Sequence, residues 1–197
     1  MRKLTEAIRL FDGHLCNLNW HNERLMRSRR ELFELEDSID IAQHIDVPEE
    51  CMNGLFKVRV VYSEKVESVR IEPYKIKVLQ SCKLVHADSI DYRYKYRDRR
   101  CIEELINLNP GYDDIIIAVN GQICDASSSN LVFEINGELV MPKTAMLRGS
   151  TMSRLLYEKK VREEKIYIED MQRFTRVHFV NAMVALNERC IPVDSIV

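Results

Sequence analysis

What this chain of 197 residues lacks rules out several classes of function before any motif is read. It has no surplus of charge: 29 basic and 31 acidic side chains leave a formal net charge of −2. Binding to nucleic acid or to an acidic membrane surface draws on a basic surplus, so neither partner is expected. No apolar run approaches the roughly 18 residues of a membrane-spanning helix. The opening Met-Arg-Lys-Leu-Thr-Glu has two positive charges but no apolar core behind them, which is not the pattern of a signal peptide. A cytoplasmic protein is expected. The six cysteines, at 16, 51, 82, 101, 124 and 190, contain no Cys-x-x-Cys and are too sparse for a disulfide scaffold. Zinc ligands would be paired more closely, and the five histidines also lack metal-ligand spacing. Free thiols and no metal are the simplest expectation. There is no internal repeat, low-complexity segment or long linker.

What is present is an ordinary globular composition, 30% charged and 46% hydrophobic, with patterns that change along the chain. Residues 5–11 alternate as a strand, and Asp12-Gly13 turns them into a second short strand over 14–18. From Asn19 the spacing becomes helical, with Trp20, Leu25, Leu32, Phe33 and Leu35 as an apolar stripe and the arginines largely between them. A short helix over 38–45 opens at Ser38 or Asp40. Residues 56–62 and 66–71 alternate as a hairpin, and 74–85 continue extended. This first half, 1–88, predicts a small α+β subdomain.

The second half, 89–197, predicts a C-terminal α/β subdomain. A helix over 98–108 stops at Asn109-Pro110-Gly111. The apolar run 115–119 turns at Asn120-Gly121, and 131–135 turns at Asn136-Gly137 into 138–141; Asn-Gly pairs are strong antiparallel hairpin signals. A helix follows over 150–160. Strands over 165–168 and 177–180 then flank a short helix at 170–174. The two halves are expected to pack along a cleft.

Three places carry chemistry. Lys95 sits in Asp-Tyr-Arg-Tyr-Lys-Tyr-Arg-Asp-Arg, among Arg93, Arg97, Arg99 and Arg100. Neighbouring positive charge favours the neutral amine that a Schiff base requires, although a lysine in a basic run is usually a solvated one. Asp125 lies between two strands in Asp-Ala-Ser-Ser-Ser-Asn-Leu-Val-Phe, either a plain loop acid or a carboxylate for a heterocyclic nitrogen. Gly149-Ser150-Thr151 opens a helix, either as a plain N-cap or as a cradle of N–H groups and hydroxyls for a phosphate.

Taken together, Tyr-Lys-x-x-x-Arg, an acid five residues before Asn-Leu-x-Phe, and Gly-x-Thr at a helix start resemble the class IV aminotransferases in order and spacing. That family includes branched-chain and D-amino-acid aminotransferases and 4-amino-4-deoxychorismate lyase. Glu6-Ala-Ile-Arg9, His21-Asn-Glu-Arg24-Leu and Asn181-Ala-Met183 extend the resemblance over nearly the whole chain.

The resemblance implies the family's α+β fold, two small subdomains with a cofactor cleft between them, and pyridoxal 5′-phosphate (PLP) as cofactor. Lys95 would carry the cofactor as a Schiff base and shuttle the proton. Arg24 would bind the phosphate with Gly149, Ser150, Thr151 and Asn181. Asp125 would face the pyridine nitrogen, and Arg59 would meet a substrate carboxylate. The implied reaction is amino-group transfer between an amino acid and a 2-oxo acid, with pyruvate elimination from aminodeoxychorismate as the alternative and a non-catalytic binding module as the third reading. A homodimer is also implied. Three departures stand out: Asp125 replaces the usual glutamate, two leading strands are missing before Glu6, and Ala7 stands where the lyases have threonine.

Overall fold

A computed structural model describes residues 2–197, and the chain divides into two compact units. The first comprises Met1–Ile76 with Tyr94–Asp98, the second Lys77–Arg93 with Arg99–Val197. The expected boundary near Asp88 thus differs from the observed division at Ile76, and the short stretch around Lys95 returns to the first unit.

The first unit is built on strands β1 (Leu4–Phe11) and β2 (His14–Leu15), helix α1 (Leu18–Phe33), and strands β3 (Leu55–Tyr62) and β4 (Val66–Pro73). The strands form one antiparallel sheet in the order β2-β1-β3-β4. Asp12 and Gly13 both take positive φ, 46° and 77°, as the tight β1–β2 hairpin turn demands. β1 and β3 bury Leu4, Ile8 and Leu10 with Val58, Val60 and Tyr62 on one face. Strand periodicity puts Glu6 in that same row, opposite Val60, and it is 0% exposed.

Helix α1 covers that face with a stripe that is mostly polar. Its buried positions are His21, Arg24, Leu25, Ser28 and Arg29, spaced as one helical face. This corrects the expected apolar stripe: Trp20, Leu32, Phe33 and Leu35 are only half-buried, and two of the arginines face inward. Glu6 explains the reversal, because a buried carboxylate draws the cations of the helix towards it. Arg29 is satisfied separately by Asp37 and by the carbonyls of Asp37 and Glu64, which stitches the helix end to its surroundings. The helix expected over 38–45 is a single 3-10 turn, Ile41–His44, capped by Asp40.

The second unit runs β5 (Cys82–His86), α2 (Arg100–Asn107), β6 (Asp114–Val119), β7 (Gln122–Ala126), β8 (Asn130–Ile135), β9 (Glu138–Pro142), α3 (Ser150–Tyr157), β10 (Arg162–Glu164), β11 (Arg176–Val180) and β12 (Cys190–Pro192). Its sheet order is β10-β9-β8-β7-β6-β5, with β11 added to β8 and β12 to β11. The strand expected over 165–168 is instead β10, at Arg162–Glu164, and β7 and β12 are strands the sequence pattern did not single out.

β8 is the hub. One edge pairs along its length with β11, while the other is shared: β9 takes residues 133–135 and β7 meets only Asn130, through Asp125. Its faces feed two cores. Leu131 and Phe133 pack with Ile116, Ile123, Val177 and Phe179, and Val132 packs under α3 with Met141, Met152 and Leu155. A strand buried on both faces reads as a continuous apolar run, as Leu-Val-Phe does. The fork at Asp125 and Asn130, where β7 leaves β8, is where the polar residues of this unit collect.

Candidate functional site

In the first unit Glu6 is the centre. Arg24 donates to it through Nε at 2.8 Å and through Nη2, and His21 Nδ1 lies 2.6 Å from Oε2. All three residues are at least nine-tenths buried. Burial alone would push the Glu6 carboxyl up, but the charge and hydrogen bonds of Arg24, with those of His21, hold it at about 2. A carboxylate only accepts, so Nδ1 carries the proton of His21. Burial, then the charges of Arg24 and Lys95, hold the imidazole below its ordinary value against the pull of Glu6. His21 is therefore a neutral donor, and its Nε2 is buried without a partner.

Lys95 is fixed to the same sheet by its backbone. Its carbonyl accepts from Thr5 N at 2.9 Å, Tyr96 bridges Leu4, and Arg97 N donates to the Lys3 carbonyl at 2.9 Å. Tyr94 and Tyr96 contact each other edge to face and pack on the apolar core of this unit, and Tyr94 Oη reaches Glu31. Arg59 stands apart from this group. Register pairs it with Ala7 and Arg70, on the opposite face of the sheet from Glu6, and it touches Glu72 at 3.4 Å.

In the second unit Asp125 is 4% exposed at the β7–β8 fork. Its Oδ1 accepts from Asn130 Nδ2 at 2.7 Å and its Oδ2 from Leu147 N at 3.0 Å. The same Asn130 Nδ2 reaches the Leu147 carbonyl at 2.8 Å, so the loop before α3 is laced to the fork. Gly149 is required by a close approach: a Cβ there would overlap Asn130 Oδ1. Gly149 is also the N-cap of α3 and supplies no side-chain cap.

The first turn of α3 consequently has donors to spare. The first backbone bond into the helix is Ser153 N to the Gly149 carbonyl, leaving the N–H groups of Ser150, Thr151 and Met152 ahead of it. Ser150 Oγ is buried without a partner, whereas Thr151 Oγ1 donates to the Asn181 carbonyl at 2.8 Å. The residues expected to hold a phosphate in this half, Gly149, Ser150, Thr151 and Asn181, are thus brought together within one unit. An uncapped helix start with an orphaned hydroxyl suits an anion.

Sequence reasoning passed over Glu6, His21 and Asn130 as working side chains. The first had a readable signal: alternation places it in the row of Leu4, Ile8 and Leu10, where an unpaired acid is not tolerated. Among the described residues no cluster of three His, Cys, Asp or Glu side chains is placed to hold a metal, and no helix is long and apolar enough to cross a membrane.

Residues 103–196 match the model of the family described as amino-transferase class IV. An uncharacterized protein of Haemophilus influenzae is 30% identical over 188 residues, covering 94% of this chain and all of that one. A crystal structure from Haemophilus somnus 129PT, provisionally assigned as a 4-amino-4-deoxychorismate lyase, is 28% identical with a TM-score of 0.89, covering 94% of this chain and 98% of that chain. A hypothetical aminotransferase from Mycobacterium tuberculosis, solved in its PLP-bound form, shares the fold with a TM-score of 0.75 at 17% identity, over 93% of this chain and 78% of that chain.

Proposed function

Because the chain belongs to the class IV aminotransferase family, we propose that it is a PLP-dependent enzyme transferring an amino group between an amino acid and a 2-oxo acid. One observation carries the reading: in a single unit, a buried carboxylate, Asp125, stands beside an uncapped helix start with the orphaned Ser150 hydroxyl. A pyridine nitrogen needs the first and a phosphate needs the second, so the residues fit the cofactor.

Ser150, Thr151 and the first N–H groups of α3 would bind the phosphate, with Gly149 allowing the approach and Asn181 holding Thr151 in place. Arg24 would add its charge, oriented by Glu6. Asp125 would accept the pyridinium N–H. Asn130 and Leu147 N already fix both of its oxygens, so the shorter aspartate is held rigidly where the family uses glutamate. Bound there, PLP supplies the electron sink for breaking a bond at the carbon next to the substrate amine. Lys95 would be the residue to hold the cofactor covalently, and its amine, when free, would be the group that moves a proton at that carbon. Arg59, on the other face of its sheet, would take a substrate carboxylate.

A second reading, pyruvate elimination from aminodeoxychorismate, is favoured by the assignment of the Haemophilus somnus structure. Ala7, in place of the lyases' threonine, argues for transfer. Parallel assays decide between them: amino acids with 2-oxo acids, and aminodeoxychorismate with release of 4-aminobenzoate. A colourless protein that takes up no PLP would defeat both. Lys95→Ala should abolish the borohydride-sensitive yellow colour and lower turnover by at least about a hundred-fold; normal turnover in that variant would reject the assignment. The homodimer expected of the family would scatter light with twice the mass of the 23.2 kDa chain.

A further inference from the structure

Arg189, which precedes β12, is 8% exposed, and among the described residues no carboxylate lies within ion-pair distance of it. Its Nη2 donates to Ser129 Oγ at 2.6 Å, its guanidinium lies over the Phe179 ring at 5.7 Å, and its Nε is buried without a partner. A buried cation without a counter-ion is costly to keep, and among the described residues a hydroxyl and an aromatic face are what offset it.

The hydrogen bonds around Ser129 show where the charge acts. Ser129 Oγ accepts from Arg189 and also from Asn181 Nδ2, at 3.1 Å. A hydroxyl has two lone pairs and one proton, and both lone pairs are taken. Asn181 cannot turn over to accept that proton, because its Oδ1 already holds Met183 N at 2.8 Å and Val184 N at 3.0 Å, while Nδ2 also reaches the Ser128 carbonyl. No described residue accepts from Ser129 Oγ. The same Asn181 accepts from Thr151, in the first turn of α3.

We propose that Ser129 is a further phosphate-binding residue and Arg189 its positioning residue. Arg189 and Asn181 together fix the hydroxyl with its proton outward, and the buried charge polarises the O–H towards an anionic oxygen. The ligand class is a phosphate monoester dianion, reached from the same unit as the start of α3. The inference rests on the reading that this helix start holds the phosphate of PLP.

The test titrates apo protein with PLP, with pyridoxal, which keeps the aldehyde but lacks the phosphate, and with inorganic phosphate as competitor of PLP. Ser129→Ala and Arg189→Met should each weaken PLP and inorganic phosphate roughly ten-fold, the size of one hydrogen bond to a charged group. Pyridoxal binding should not change. The double variant should bind no worse than either single one, since both remove the same donor, and Arg189→Lys should recover part of the loss. Should Arg189→Met fail to fold, Ser129→Ala decides alone. Unchanged PLP affinity in Ser129→Ala, or equal losses for PLP and pyridoxal, would overturn the proposal. A wild-type protein that binds neither PLP nor phosphate would instead defeat the phosphate-site reading beneath it.

Discussion

Each unit buries arginine, and the two treat it in opposite ways. Arg24 in the first unit spends Nε and Nη2 on Glu6, which is itself wholly buried and tied to His21. Arg189 in the second unit has a hydroxyl, an aromatic face and no carboxylate. The first arrangement balances its charge inside the protein; the second has no carboxylate and leaves its Nε without a partner. The same contrast holds at the start of α3, where Ser150 Oγ has no partner.

Perturbing the closed side should have the largest effect on stability. Glu6→Gln leaves Arg24 buried beside a neutral amide, and removing one partner of a buried pair costs roughly 3–5 kcal/mol. Urea denaturation of the apo protein measures it; a change below about 1 kcal/mol would mean that Arg24 is compensated elsewhere and that the contrast between the units is false.

Acid should weaken the same unit by a smaller amount. The Glu6 carboxyl is depressed from 4.5 to about 2, so its contribution is present above 4.5 and is lost as pH falls towards 2. That shift corresponds to about 3 kcal/mol at most. His21 is depressed too, so its contribution is present above 6.5 and erodes as pH falls below it. Both signs agree: stability should decline from near pH 6.5 downward, and denaturation midpoints between pH 7 and pH 3 check this. A flat profile would remove the neutral-imidazole assignment.

The smallest effect on stability is expected on the open side. Ser150→Ala removes a hydroxyl that has no partner to lose, so the apo protein should change by less than about 0.5 kcal/mol. Affinity for PLP should nevertheless fall several-fold, as expected for a lost hydrogen bond to an anion. A stability loss as large as that of Glu6→Gln would place Ser150 among the structural residues.

Much of this was legible in the chain. The Asp-Gly and Asn-Gly turns located the hairpins because positive φ at two successive residues leaves few alternatives. The ordered set Lys95, Asp125 and Gly149–Thr151 pointed to the family because each residue type answers a different chemical need. The helix α1 was misread for a physical reason: periodicity assumes that the inward face is apolar, and here the inward face follows a buried acid on another strand. β7 and β12 escaped because short segments flanked by polar residues take their structure from the neighbours they pair with.

The sequence by itself determined which residue types were available, where the turns fall and the order in which the chemistry-bearing segments appear. Those are local properties, set by backbone sterics and side-chain chemistry. Only the tertiary structure decided which of them are satisfied. It closed Arg24 on Glu6, put Arg59 on the far side of its sheet, filled both lone pairs of Ser129, and left Ser150 Oγ and Arg189 Nε without partners. Satisfaction of a buried polar group depends on what strands distant in sequence bring within three ångströms of it, and no local pattern records that.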